Sequence, residues 1–477
     1  SSKPACEASR RTAPGHACIY TGTTPSVNGI VSNDWFDRTT KKSVYCVSDS
    51  TEKPVGTTSI SGKMSPRQML STTMTDELRL ATNFRSKVIG ISLKDRGAIL
   101  PAGHTANAAY WHDPYSNNWV TSTYYMQELP GWVGKFNDRK TVDSLLMNPW
   151  TTLLPLSEYK ESSLDDNEYE GLFKGELKPV FPHNLPAIKA LDSELIRRTP
   201  MGNTYTRLFA EAALDGEQLG KRGETDFLAV SFSSTDYVGH MYGINAIETE
   251  DTYLRLDREI EQFLNFLDAR FGDSNYLLFL TADHGAAHNP EYSSDQKIPA
   301  GNMSDDRIAD SLSEYIASVY GDTSIILSAS SHNIYLNREL IEKKKLKLEE
   351  IQKSCARYVM NSKGVASALT ASELARSVQR QGLVELIQNG FNDLRSADVN
   401  IQLQPGWLDW YTKTGTSHGT FYHYDTHVPV LFYGKGIAPG STAREININD
   451  IAPTVCTFLN IESPSGCTGQ PILELFK

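Results

Sequence analysis

Short apolar runs recur along this chain, and several are followed at once by polar, chemically loaded residues. Ser86-Lys-Val-Ile-Gly-Ile-Ser92, Phe227-Leu-Ala-Val230, Tyr276-Leu-Leu-Phe-Leu280 and His427-Val-Pro-Val-Leu-Phe-Tyr-Gly434 read as strands. Between the second and third, Thr252 to Phe271 places Leu254, Leu256, Ile260, Phe263, Leu264 and Leu267 roughly on one helical face. That helix is expected to be the crossover of a βαβ unit, joining the strands that end at Ser234 and Thr281. Leu336 to Ala356 is rich in Lys and Glu and predicts a solvated surface helix. Alternating strand and helix patterns predict an α/β fold with a mostly parallel sheet. Residues 103–220 and 286–410 break the alternation. Both follow chemically loaded segments and are expected to be insertions that cover a site.

Parallel strands deliver their last residues to one edge of a sheet, where α/β proteins build sites. Asp236 and His240 follow the run ending at Val230, and Asp283 and His284 follow the run ending at Leu280. A lone Asp-His pair usually marks nothing. Two pairs, each at the exit of an apolar strand, predict a two-metal site with the N/O ligands that zinc takes. His418, just ahead of the run ending at Gly434, would complete a site with Asp236 and His240.

Near the start, Pro14 suits a first helical turn with Thr12 as its N-cap. A capping threonine is ordinarily only a cap. Beside two metals and a helix N-terminus, its hydroxyl could ionise and serve as a nucleophile. Asn33 can donate its amide to an anionic oxygen, or simply favour a turn. Lys94 and Arg96 lie just past the strand ending at Ser92. They could grip phosphate oxygens, or form a salt-bridged loop around Asp95.

Size and composition narrow the picture. With 477 residues, 39% hydrophobic and 22% charged, the chain can bury one large core or two ordinary ones. A net charge of −11 disfavours nucleic acid as a partner. No stretch approaches the roughly 20 apolar residues of a membrane span. The six cysteines (Cys6, Cys18, Cys46, Cys355, Cys456, Cys467) form no C-x-x-C pair, so a thiolate metal site is not expected. Cys456 and Cys467 flank the turn Ser463–Gly466 and could close a small loop. Many tyrosines and polar loops fit an exported protein. No signal peptide stands at Ser1, so export to the periplasm or beyond is expected of a processed chain.

Taken together, Thr12-x-Pro14-x-His16, Thr21-Gly22, Gly29-Ile30 and Asn33 resemble the alkaline phosphatase superfamily, in its phosphodiesterase and PafA-type branches. The segment Ser92-Leu-Lys-Asp-Arg-Gly-Ala-Ile-Leu-Pro-Ala-Gly-His104 resembles the PafA-type bacterial alkaline phosphatases in particular, with Lys94 and Arg96 matching a pair that family diesterases lack. Ala108-Ala-Tyr-Trp-His112 and Asp450-Ile-Ala-Pro-Thr454 extend the resemblance over most of the chain. It implies a single doubly wound α/β domain over residues 1–477, with insertions capping the site. It implies a phosphate-monoester hydrolase of broad substrate range that acts through a phosphothreonine at Thr12. It also implies two zinc ions, one on Asp236, His240 and His418, the other on Asp283, His284 and Thr12. Asn33, Lys94 and Arg96 would hold the phosphoryl oxygens.

The family's remaining ligand, an Asp on a first strand upstream of the nucleophile, has no match here. Only 11 residues precede Thr12, with Glu7 their one acid. The sequence is therefore expected to lack that first strand. The alternatives are a phosphodiesterase or nucleotide pyrophosphatase on the same scaffold, and a catalytically inactive phosphate- or metal-binding relative. Cys6-Glu-Ala-Ser-Arg10 resembles a sulfatase motif but lacks its Pro and is out of register.

Overall fold

The structure, a computed structural model, describes residues 11–272, 275–303, 305–330, 332–376 and 382–476. Glu7 and Cys6 lie outside them. In chain order, a hairpin of β1 (Asp34–Asp37) and β2 (Lys42–Tyr45) comes first. It is followed by β3 (Pro54–Val55), β4 (Val88–Ser92), β5 (Ala108–Asp113), β6 (Asn118–Ser122) and β7 (Phe227–Ser231). These five form one sheet in the order β3–β6–β5–β4–β7. β4 pairs in parallel with β5 and β7, while β6 and β3 join antiparallel. Downstream come β8 (Leu277–Thr281), β9 (Gly301–Asn302), β10 (Ile326–Ser330), β11 (Asn333–Leu336), β12 (Val365–Thr370), β13 (Val399–Leu403), β14 (Trp407–Leu408) and β15 (Val430–Gly434). β8 pairs antiparallel with β15, β9 in parallel with β14, and β10–β11–β13–β12 make an antiparallel sheet.

The main sheet is covered on both faces, as its apolar strands require. Successive side chains of a strand point to opposite sides. Ala108 and Tyr110 of β5 accordingly join one apolar cluster with Ile89, Ile91 and Phe209, while Ala109 and Trp111 join another with Ala98, Ile99 and Ala102. All five residues of β4 are buried. A methyl group at Gly90 would sit 2.1 Å from the carbonyl oxygen of Ala98, so the helix Asp95–Ala102 can lie directly on the strand. That approach sets Lys94 and Arg96 at the strand's exit.

Several expectations need correction. The long helix runs Ile247–Phe271, but β7 and β8 belong to different sheets, so it does not cross over between paired neighbours. β8 instead takes β15 as its partner, and the Tyr20 ring lies between β7 and β8, 6.1 Å from both Phe227 and Phe279. Residues 108–122, within the first expected insertion, supply two strands of the main sheet. Their Trp, Tyr and Asn content masked a strand pair whose aromatic rings are buried. The stretch after Leu336 is two helices, Arg338–Lys343 and Leu348–Val359. The second is amphipathic rather than wholly solvated, and buries Ile351, Cys355 and Val359 against the β10–β13 sheet in a separate apolar core. Cys18 is disulfide-bonded, whereas Cys456 and Cys467 are free, so no disulfide joins those two. Cys456 lies in the apolar cluster with Ile451 and Val455, and burial pushes its thiol up to about 12. The Cys467 Sγ packs against Gly22. No described helix is long and apolar enough to cross a membrane.

Candidate active site

The strand β7 ends at Ser231 and a helix, Ser234–Tyr242, begins almost at once. Asp236 stands in its first turn and His240 one turn later, so both face the same way. His240 donates from Nδ1 to the Thr416 carbonyl at 2.8 Å, which leaves Nε2 directed at Asp236 Oδ1, 3.4 Å away. His418 brings its Nε2 to 3.6 Å from the same oxygen. One ligand atom from each of Asp236, His240 and His418 lies within 4.8 Å of the others, the one such group of three among the described residues.

Asp283 and His284 follow β8 and adjoin that group. His284 donates from Nδ1 to the Gly285 carbonyl at 2.9 Å. Its Nε2 is buried without a hydrogen bond, 3.4 Å from Asp283 Oδ2 and 4.0 Å from Asp236 Oδ1. The His284 and His418 rings stack at 3.5 Å. His240 and His284, each anchored through Nδ1 with Nε2 turned toward a carboxylate, are the arrangement metal-binding histidines adopt, so these residues fit a metal. Desolvation in the cleft acts to raise the Asp236 carboxyl, but Lys94, His240, His418 and His284 hold it well below the usual range. Asp283 is likewise held low against desolvation, by His284, His16 and Lys94.

Thr12 is the first residue of the helix Thr12–Thr21, not its N-cap. Arg11 occupies the cap and offers no side-chain bond, so the Thr12 hydroxyl is not spent on capping. A methyl group at Gly15 would meet Asp283 at 2.7 Å, which shows how closely this helix abuts the β8 exit. Lys94, 6% exposed, ion-pairs with Asp236, and its Nζ lies 3.4 Å from Thr12 Oγ1 and 4.8 Å above the Tyr237 ring. Asn33 accepts from the Ala13 backbone N–H at 3.0 Å through Oδ1, which leaves its NH2 as the donor. Arg96 donates from Nη1 to the Tyr45 hydroxyl at 3.0 Å, while its Nε is buried without a hydrogen bond. Tyr45 in turn donates to Asp95 at 2.5 Å.

The fold thus brings together Thr12, Lys94, Asp236, His240, Asp283, His284 and His418. Asn33 is tied to the same helix start as Thr12, and Arg96 extends from the same strand exit as Lys94. Three neighbours went unassigned in the sequence. His16 places Nδ1 2.9 Å from the Thr12 carbonyl oxygen and 3.3 Å from Asp283 Oδ2, and its Nε2 3.1 Å from Ser231 Oγ. Its spacing of four from Thr12, one helical turn, was the available signal. Tyr45 and Trp410 carried none. Trp410 stacks on the His240 ring at 5.6 Å, a contact made across distant segments.

The family model for type I phosphodiesterase / nucleotide pyrophosphatase matches residues 7–425. The alkaline phosphatase PafA of Elizabethkingia meningoseptica is 45% identical over 466 residues, 97% of this chain and 85% of the relative. The alkaline phosphatase PhoV of Synechococcus elongatus is 45% identical over 468 residues, 98% of this chain and 84% of the relative. A protein of Myroides odoratus named as a calcium-transporting ATPase is 47% identical over 467 residues, 97% of this chain and 85% of the relative. The crystal structure of PafA superposes with a TM-score of 0.96 at 43% identity, covering 100% of this chain and 91% of that one. A PafA variant with one Thr, one Asn, one Lys and one Arg replaced superposes with a TM-score of 0.95. There the Thr and Asn stand 21 positions apart and the Lys and Arg two apart, the spacings of Thr12 to Asn33 and Lys94 to Arg96.

Proposed function

The chain belongs to the type I phosphodiesterase / nucleotide pyrophosphatase family and, within it, to the alkaline phosphatases of the PafA kind, and from that premise we propose a zinc-dependent phosphate-monoester hydrolase working through a phosphothreonine at Thr12. The Thr12 oxygen attacks phosphorus in line and the alcohol leaves. Water then attacks the phosphothreonine, frees Thr12 and releases inorganic phosphate. Two zinc ions, one with Asp236, His240 and His418 and one with Asp283, His284 and Thr12, would supply the positive charge that lowers the pKa of hydroxyl and water and offsets the leaving alkoxide.

The chain's own residues orient and neutralise the phosphoryl group. Asn33 donates its NH2 to one non-bridging oxygen. Lys94 adds a point charge, and Arg96 a planar fork suited to two oxygens. Together they oppose the charge spread over the equatorial oxygens in the transition state. His16 and Gly15 hold Asp283 against the helix that presents Thr12.

The observation that carries the reading is the Lys94 ammonium, enclosed between the Thr12 hydroxyl and Asp236. A monoester dianion offers such a cation one more charged oxygen than a diester does. A grip on the phosphoryl group alone supports a broad substrate range. ATP, named through the Myroides relative, ends in a phosphoryl group of the same kind. The Cys18 disulfide supports an oxidising compartment, hence the periplasm or the exterior.

The test compares hydrolysis of p-nitrophenyl phosphate and bis-p-nitrophenyl phosphate by zinc-replete and chelated protein. Zinc-dependent preference for the monoester, lost in Thr12→Ala with metal retained, is the expected outcome. Preference for the diester would place the chain with the diesterases of its family. Full turnover by Thr12→Ala would remove Thr12 from the mechanism.

A further inference from the structure

We propose that Arg38 is a positioning residue for the phosphoryl grip. Through its pair with the buried Asp398 it ties the β1–β2 hairpin to the β10–β13 region, and so fixes Arg96. This inference rests on the reading that Arg96 holds substrate oxygens.

The hairpin's two ends reach the site. Asn33 directly precedes β1, and Tyr45 closes β2 as the register partner of Asp34. The Cys46 N–H donates to the Asn33 carbonyl at 2.8 Å, so the two ends are held side by side. Tyr45 then carries the hairpin's position to Arg96 through the 3.0 Å bond to its Nη1, and to Asp95 at 2.5 Å. Asp95 and Arg96 open the helix that packs on β4. A shift of the hairpin therefore moves the guanidinium directly.

The hairpin's far end is gripped by the other region. Arg38 follows β1 and spreads its whole guanidinium over one segment. Nε and Nη2 donate to Asp398 Oδ2 at 3.3 and 2.9 Å, Nη2 also to the Ser396 carbonyl at 2.7 Å, and Nη1 to that of Leu394 at 3.4 Å. The group lies 5.0 Å above the Tyr335 ring, and Phe36 contacts that ring at 5.5 Å. Asp398 is 0% exposed and is itself immobilised. It also accepts from the Leu336 N–H at 2.8 Å, Arg338 Nε at 2.9 Å and Gln352 Nε2 at 3.1 Å. The same segment reaches back a second time. Arg395 donates to the carbonyls of Gly29 and Gln68 at 2.7 and 2.6 Å and lies 4.9 Å above Trp35 of β1. A buried charge pair adds little net stability over an apolar pair, but it fixes geometry, and a planar fork fixes it in two directions.

The experiment measures kcat/KM for p-nitrophenyl phosphate and bis-p-nitrophenyl phosphate, with bound metal, for Arg38→Ala, Arg96→Ala and the double variant. Arg38→Ala is expected to lose about tenfold or more on the monoester, less than about twofold on the diester, and no metal. The double variant should be no worse on the monoester than Arg96→Ala, because both changes disable one unit. Equal losses on both substrates, or losses that multiply in the double variant, would overturn the proposal. Should Arg38→Ala fail to fold, Arg38→Lys keeps the charge and removes the fork. A smaller monoester-selective loss is then expected, and a uniform loss or none overturns the proposal. The functional reading fails separately: if Arg96→Ala leaves the monoester preference intact, Arg96 has no oxygen grip to position. If Arg96→Ala erases that preference while Arg38→Ala does not, the Arg38 proposal alone falls.

Discussion

Asp236 and Asp398 are both enclosed carboxylates with basic groups against them, in two regions built on different sheets. Asp398 is fully buried, and five donors from Arg38, Leu336, Arg338 and Gln352 use its two oxygens. Asp236 retains side-chain exposure of 21% and faces three imidazoles at 3.4 to 4.0 Å. His284 Nε2 beside it has no hydrogen bond at all. Near the β10–β13 sheet the charges are closed upon one another, which yields a fixed joint. At the exits of β7 and β8 they are left incomplete, and incompleteness among buried polar groups is what a metal or an anion can relieve.

Exchanging each carboxylate for its amide breaks the comparison most directly. Asp236→Asn should lower monoester turnover by more than about a hundredfold, beyond the 10–100-fold typical of an outer partner to a metal ligand. It should also abolish any rise in melting temperature on adding zinc. Asp398→Asn should instead cost about 3–5 kcal/mol, the scale for breaking a buried charge pair, by urea denaturation with and without zinc alike. If the cost at Asp398 depends on zinc, the buried joint and the metal site are energetically coupled and the contrast fails.

A pH series sharpens the contrast with a third enclosed cluster. His183 is fully buried between Glu176 at 2.9 Å and Glu248 at 3.0 Å. Burial alone would lower its pKa, but those two hydrogen bonds push it up to about 9. Its folded value therefore exceeds its unfolded one. The stabilisation is complete below roughly pH 6.5, the ordinary histidine value, and is lost as pH rises through about 9. Denaturation midpoints should fall between pH 6 and 9.5 in the parent and fall less in His183→Gln. An equal fall in both would take His183 out of the account. Glu170, raised to about 10 first by desolvation and then by Glu248, pulls in the same direction. Glu170→Gln should therefore flatten the same profile further.

The smallest expected effect lies at Trp410. Its stack on His240 is worth about 0.5–1.5 kcal/mol by analogy with aromatic pairs. Trp410→Ala should weaken zinc binding by about tenfold or less in a chelator competition, with the monoester preference unchanged. A larger loss would make Trp410 a support of the metal site rather than a neighbour of it.

Much of this arrangement was legible in one dimension because strand exits are local events. The apolar runs before Ser231 and Ala282 fixed where Asp236, His240, Asp283 and His284 would emerge, and the run before Lys94 did the same for the phosphoryl-gripping candidates. The errors were errors of partnership. Period and composition predicted the long helix between β7 and β8 but not that β8 would pair with β15, since strand pairing depends on residues 149 or more positions away. The aromatic content of residues 108–122 concealed two strands of the main sheet. The Lys/Glu-rich stretch after Leu336 concealed an apolar face that acquires meaning only against the sheet it covers.

The sequence by itself determined the α/β class, the set of chemically competent residues and their family resemblance, because each rests on residue types and short spacings. The tertiary structure decided which groups meet. It set Lys94 between Thr12 and Asp236, turned His16 to Asp283, and tied Tyr45 to Arg96 and Arg38 to Asp398. Those contacts join residues separated by up to 360 positions. No local propensity encodes them, because they follow from packing two faces of a sheet and docking one region on another.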